Sequence, residues 1–220
     1  MKNIKNTALF RGLEDSEYAE ALASLNAQER TYSKDSFLLH AGESTRQLGV
    51  ILSGSVTIEN NDLWGNRTIL GHMGPGQIFA ETYALLPETP MLVDVRANED
   101  CTVLFLRIGT LAQYDSASWA MKLTRNLLMI SAGKNLHLSN RSFHTAPKTV
   151  RGRVMAYLGT VALRKGCNDF DIPYDRQQMA DYLNLDRSAL SKELGKMRED
   201  GLIRFRKNHF EIMTGGVSLI

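Results

Sequence analysis

Arg187, Ser188, Ser191 and Lys192 have the types and spacing to read base pairs, because at helical pitch they share the outer side of one short helix. The opposite side of that helix carries Ala189, Leu190, Leu194 and Met197. Short hydroxyls and cations suit a helix laid in the major groove, where they meet base edges, and nothing bulky or acidic is turned toward phosphate. The segment just before it supplies the second half of a two-helix unit. Asp175 caps a first helix with Gln178 at its third position, a capping-box arrangement, and Met179, Ala180 and Leu183 follow on one face. Asn184 and Leu185 make the turn, and Asp186 caps the second helix. Arg176 and Gln177, in the opening turn of the first helix, join the candidate DNA contacts. An ordinary helical hairpin with a solvated charged face is the alternative for these residues taken alone.

The following residues argue against that alternative. Glu199-Asp200-Gly201 stops the helix, and LIRFRKNHFEIM then alternates apolar and basic residues around Lys207-Asn208, the pattern of a hairpin. A helix pair followed by a two-stranded wing is a DNA-binding arrangement, with Arg204, Arg206 and Lys207 placed where a wing meets phosphate. Charge is distributed to match. The whole chain of 220 residues carries a formal +2, but residues 148–220 carry +4 and residues 1–147 carry −2.

The elements that must position these side chains occupy the rest of the chain. A short amphipathic helix around LEDSEYAEALASL offers Leu13, Tyr18, Leu22 and Leu25 to one face. Short β runs then follow: ERTY, FLLH, QLGVIL, SVTIE, RTILGHM, VDVRA and CTVLFL, bounded by turn residues that include Gly42, Gly54, Gly65, Gly74 and Gly76. Seven or more such strands imply a sandwich or jelly roll. From about Ser118 to Phe143 the period is helical, and Ala120, Leu123, Leu127 and Ile130 repeat as a coiled-coil seam, widened by Met121, Leu128 and Leu138. That seam predicts a two-fold dimer presenting two recognition helices to a symmetric site. Thr145-Ala146-Pro147 predicts a hinge, with a new helix over residues 147–165. The expected division is a sensor roll over 1–116, a dimerisation helix and hinge over 117–145, and a winged helix-turn-helix over 146–220, an α+β chain overall.

Only Cys101 and Cys167 are present, far apart. Two thiols cannot hold an iron–sulfur cluster on four thiolates, and no cofactor is expected. With no secretory leader and no apolar run of membrane-spanning length, a cytoplasmic protein without a membrane partner is expected.

Taken in order, a β-roll, a long helix, a Pro-containing hinge and a winged helix-turn-helix resemble the Crp/Fnr superfamily of bacterial transcription regulators over essentially the whole chain. The stretches that carry the resemblance are GPGQIFAETYALLPETPMLVDVRANEDCTVLFL, similar to the family's phosphate-binding cassette, and IPYDRQQMADYLNLDRSALSKELGKMREDGLI. The resemblance implies a homodimer on a near-palindromic operator, in contact with RNA polymerase, and not an enzyme. Departures from the family pattern are specific. Cyclic-nucleotide-binding members carry Gly-Glu and a later Arg-Ser/Thr-Ala whose guanidinium neutralises the cyclic phosphate. This chain has Ala80-Glu81 and Met91-Leu92-Val93 at those places, and Arg96 serves only in a different register. Burying a phosphate without its partner costs several kcal/mol, so an effector other than cyclic AMP is expected, with Glu81, Thr82, Met91, Asn135 and Ser139 as candidate contacts. In the recognition helix, many family members have Glu and Arg where this chain has Ser188 and Lys192, so an operator unlike the TGTGA and TTGAT cores is expected. Two alternatives within the architecture are a cyclic-nucleotide sensor and a haem or metal sensor using His40, His72, His137 or His144 with Met73, Met121 or Met129. A metal-dependent cupin enzyme shares the jelly roll, but no paired-histidine motif with a following glutamate appears near His40 or His72.

Overall fold

A computed structural model describes residues 4–61 and 67–213, which fall in two compact units, 1–132 and 133–220. Gly65 lies outside the described residues.

The first unit is built on two four-stranded antiparallel sheets. One has the order β1 (Gln28–Tyr32), β8 (Cys101–Leu106), β3 (Leu48–Ser53) and β6 (Ile78–Phe79). The other has the order β2 (Phe37–Leu39), β7 (Asp94–Ala97), β4 (Val56–Asn61) and β5 (Arg67–Met73). Along β8, Cys101, Val103 and Phe105 turn inward between the sheets, while Leu104 and Leu106 turn outward beneath α1 (Asp15–Ser24) and the start of α3 (Ser118–Thr145). Burial on both faces is why CTVLFL and LGVIL read as nearly unbroken apolar runs, whereas a strand with one wet face alternates. At Gly49 a Cβ would lie 2.2 Å from the ring of Phe79, so the inner layer closes on a glycine. The short strand β6 and the helix α2 (Glu81–Leu85) that follows it escape a sequence reading because each spans at most a single turn or two residues.

The helix α3 runs from Ser118 to Thr145, but its predicted seam faces inward. Ala120, Leu123 and Leu127 are at most 4 % exposed, packed with Trp119 against Leu9, Phe10 and Leu25, and Ile130 leans on the same cluster. The exposed apolar side chains are Met121, Leu128, Met129, Leu136, Leu138 and Phe143, each about 60 % or more exposed. Within them Met121 and Leu128, and Met129, Leu136 and Phe143, recur every seven residues. Periodicity identifies apolar stripes on a helix and does not say which one its own fold covers.

In the second unit the helix α4 covers Val150–Lys165, three residues later than predicted, because Thr149 caps it by accepting from the Gly152 amide at 3.0 Å. The helices α5 (Arg176–Tyr182) and α6 (Arg187–Glu199) follow, then the hairpin of β10 (Ile203–Arg206) and β11 (His209–Ile212). A third strand, β9 (Asp169–Asp171), pairs with β11 and was hidden in sequence by its two aspartates. The core joins Val154 and Leu158 of α4, Met179, Ala180 and Leu183, and Leu190, Leu194 and Met197 of α6 with Phe170, Ile203 and Phe210. Ala189, predicted among the core residues of α6, is exposed.

Candidate nucleic-acid interface

Both helices of the pair begin on the caps that their sequence requires. Asp175 accepts from the Gln178 amide at 2.8 Å while the Gln178 side chain accepts from the Asp175 amide at 2.9 Å. Asp186 accepts from the Ala189 amide at 2.9 Å, and Asn184 makes the turn in the left-handed region at φ 54°. Leu190, Leu194 and Met197 are fully buried, so α6 is pinned by one face and the other is left to solvent. That free face carries Arg187, Ser188, Ala189, Ser191 and Lys192, all exposed.

Within the face the side chains differ in how far they are already engaged. The Ser188 hydroxyl donates to Asp186 Oδ1, and this bond, ahead of the Ala189 amide, holds the Asp186 carboxyl below the usual carboxylate range. Ser188 is exposed, and its oxygen keeps lone pairs that can accept. Gln177 donates to Asp181 across one turn of α5 at 2.8 Å.

Arg176 opens α5 as expected, and its guanidinium is turned to the wing. Its guanidinium lies 5.2 Å from the centroid of Phe205 and 5.7 Å from that of Phe210, and donates to the Lys207 carbonyl at 3.3 Å. Burial pulls its pKa below the ordinary arginine value. It therefore fastens α5 to the wing. From the other side Arg198 stacks on Phe205 at 5.6 Å.

The wing turns on Lys207 and Asn208, with Lys207 at φ 55°, and pairs Arg206 with His209 in register. Arg204 faces Glu211 across the ladder at 3.6 Å, so part of its charge is met inside the wing. Arg206 and Lys207 are exposed at the tip. The base of α6 is held from α4, where Arg151 reaches both Glu193 and Asp200 at 2.7 Å. Its role was invisible in sequence, since an arginine in a basic segment carries no sign of which acid it will meet.

The candidate effector residues are not assembled in the same way. Met91 is 1 % exposed among the inner residues of the roll, and Glu81, at the start of α2, is 5 % exposed, while Thr82 is exposed. Arg96 points away from that core, donating to Asp35 Oδ1 at 2.9 Å and to the Asp35 carbonyl at 3.2 Å. Asn135 and Ser139 stand on α3 in the other compact unit. Among the histidines, His72 bonds Thr57 at 2.9 Å, and His144 bonds Tyr182 and Thr160 at 2.9 Å each. Among the described residues no group of three or more His, Cys, Asp or Glu is placed to hold a metal ion, and no helix is long and apolar enough to cross a membrane.

Comparison with known proteins matches two regions of the chain. Residues 29–115 match the cyclic nucleotide-binding domain and residues 152–214 the Crp-like helix-turn-helix domain. The chain is 28 % identical over 217 residues to the cyclic AMP receptor protein of Thermus thermophilus, covering 95 % of this chain and 94 % of that one. The crystal structure of the Thermus thermophilus catabolite activator protein aligns over 94 % of each chain, with 27 % identity and a TM-score of 0.51. The c-di-GMP responsive global regulator CLP of Xanthomonas campestris shares the fold at 20 % identity and a TM-score of 0.56, over 90 % of this chain and 99 % of that one. With both domains matched in order and a capped, wing-backed recognition helix in place, the chain belongs to the Crp/Fnr family of DNA-binding transcription regulators.

Proposed function

We propose that the chain acts as a homodimer that reads a near-palindromic operator with one α6 in each half-site, and that it answers to an effector other than cyclic AMP. The observation that carries the operator reading is the free face of α6, where Arg187, Ser188, Ser191 and Lys192 stand opposite the buried Leu190, Leu194 and Met197. Lys192 reads guanine as a point charge, without the fork of an arginine. Ser188, its proton given to Asp186, acts as an acceptor and favours a base that donates in the major groove, cytosine or adenine. Gln177 is assigned to the phosphate backbone, as are Arg204, Arg206 and Lys207 on the wing, with Arg206 and Lys207 leading because Arg204 is shared with Glu211. Arg176 contributes through the wing that it holds.

In vitro selection from a random duplex pool tests the operator reading. The expected product is a two-fold symmetric site whose half-sites depart from the TGTGA core. Arg187→Ala and Lys192→Ala should each weaken binding by about 1 to 3 kcal/mol and relax one base pair, while Arg206→Ala should weaken all sequences alike and flatten the salt dependence. Alanine variants that lose affinity to the same extent on every sequence would overturn these roles.

For the sensor unit, support for another effector comes from Met91, buried where a phosphate-binding arginine is expected, and from Arg96, occupied by Asp35. Glu81, Thr82 and Met91 in the roll, and Asn135 and Ser139 on α3, are the proposed effector contacts. Contact with RNA polymerase is proposed from family membership, and the protein works in the cytoplasm, where that enzyme and the operator are.

A further inference from the structure

We infer that Arg141 and Arg153 are positioning residues that fix the helix-turn-helix turn to the end of α3 and thereby set the spacing at which two recognition helices meet DNA. A helix ends with carbonyls that have no partner within it, and at the end of α5 these run into a tight turn. Two guanidinia from outside the helix pair receive four consecutive carbonyls there. Arg141, on the last turns of α3, donates through Nη2 to the Asp181 carbonyl and through Nε to the Tyr182 carbonyl, both at 3.0 Å. Arg153, at the start of α4, donates through Nη1 to the carbonyls of Leu183 at 3.2 Å and Asn184 at 2.9 Å. Its Nε donates back to Pro147 at 2.9 Å, in the connection between α3 and α4. Positive charge at the C-terminal end of a helix is favourable, and Arg141 serves two adjacent carbonyls through two nitrogens of its planar fork, a geometry that a lysine does not reproduce.

A third link lies beneath the first. Thr160 donates its hydroxyl proton to the Ala156 carbonyl at 2.9 Å, so its oxygen accepts from His144 Nε2, and the Tyr182 hydroxyl donates to His144 Nδ1. The same Tyr182 ring lies under Arg141, 5.9 Å from its guanidinium. The closing residue of α5 is thus held to α3 by backbone, ring and hydroxyl. Because Asp186 starts α6 two residues after the gripped carbonyls, a shift in the last turn of α3 is transmitted to the recognition helix.

The inference rests on the homodimer reading, in which α3 joins the two copies. Two rigidly held recognition helices bind only half-sites about one helical turn apart, and loosening the grip relaxes spacing without changing base preference. The test uses the full-length protein and its selected operator, together with duplexes carrying one base pair more or fewer between the half-sites. Wild type should lose about 100-fold on the misspaced duplexes, because the second half-site is then bound without geometric help. Arg141→Lys, which keeps the charge, and Arg153→Lys should reduce that penalty to about tenfold or less, with base preferences inside each half-site unchanged. Variants that bind all three duplexes more weakly by one common factor would show a structural role only and overturn the inference. A wild type indifferent to spacing would instead overturn the homodimer reading and the inference with it.

Discussion

Met91 is the residue on which the proposal of an effector other than cyclic AMP turns, because a phosphate buried at that place would need a cation beside it. The thioether is 1 % exposed, its amide donates to the Glu43 carbonyl at 2.8 Å and its carbonyl accepts from Gly42 at 2.7 Å. Backbone bonds at both ends hold this stretch of chain in place, with the thioether among the inner residues of the roll. Arg96 cannot take over, since Val95 and Ala97 point inward at 1 % exposure and strict alternation sends Arg96 out to Asp35. Calorimetry with cyclic AMP should accordingly show no binding tighter than about 10 μM, or roughly 7 kcal/mol; tighter binding would require another cation at the phosphate. The lack of an arginine here is legible in the sequence because it is a matter of residue type, four residues before Val95. What Arg176 does was not legible. Its neighbours Phe205 and Phe210 are about thirty residues away in the chain and meet it only once the wing folds back, whereas the caps at Asp175 and Asp186 involve residues three apart and could be read directly.

At the scale of elements, the joint between α1 and α3 depends on a charge. Glu17 Oε2 lies 2.7 Å from Lys122 Nζ, and the same carboxylate accepts from the Glu14 amide at 2.8 Å and from Ser118 at 2.7 Å. The Lys122 bond first, then those of Glu14 and Ser118, lower the Glu17 pKa from 4.5 to about 2. The folded value lies below the unfolded one, so the contribution is present above pH 4.5 and disappears as pH falls toward 2. Thermal unfolding of wild type and Glu17→Gln should differ at neutral pH and converge as pH approaches 2; a gap that persisted there would mean that the carboxylate's charge is not the stabilising feature. His144 titrates in the second unit with the same sign, because burial, and then Arg164, lower its pKa, so what it contributes is present above pH 6.5 and is lost on acidification. The strands and long helices that position these groups were readable from period and turn residues. The strand β9, with only Phe170 buried between two aspartates, and the two-residue β6 were not, since pairing with a distant strand creates them and three or fewer residues show no period.

At the scale of the whole molecule, the proposed homodimer needs a face of α3 for a second copy to cover. Leu127 is 4 % exposed and Ile130 packs on the same cluster, so changing both to lysine would put charge into the core of the first unit and report on folding, not on assembly. The exposed stripe is Met121, Leu128, Met129, Leu136 and Phe143, whose seven-residue recurrence suits a left-handed pairing of two such helices. Leaving it in water is unfavourable, as burial of each leucine or methionine is worth about 1.5 to 3 kcal/mol, and a row of five on one helix exceeds the scattered apolar exposure of ordinary surfaces. Leu128→Lys combined with Leu136→Lys should therefore give monomers by light scattering while far-ultraviolet circular dichroism and the unfolding temperature stay near wild type, because both side chains are more than 60 % exposed in the single chain. The monomer should also lose most of its operator affinity, each half-site then being bound alone, while retaining weak, salt-sensitive binding through α6 and the wing. A dimer that survived the double substitution would place the interface on another surface.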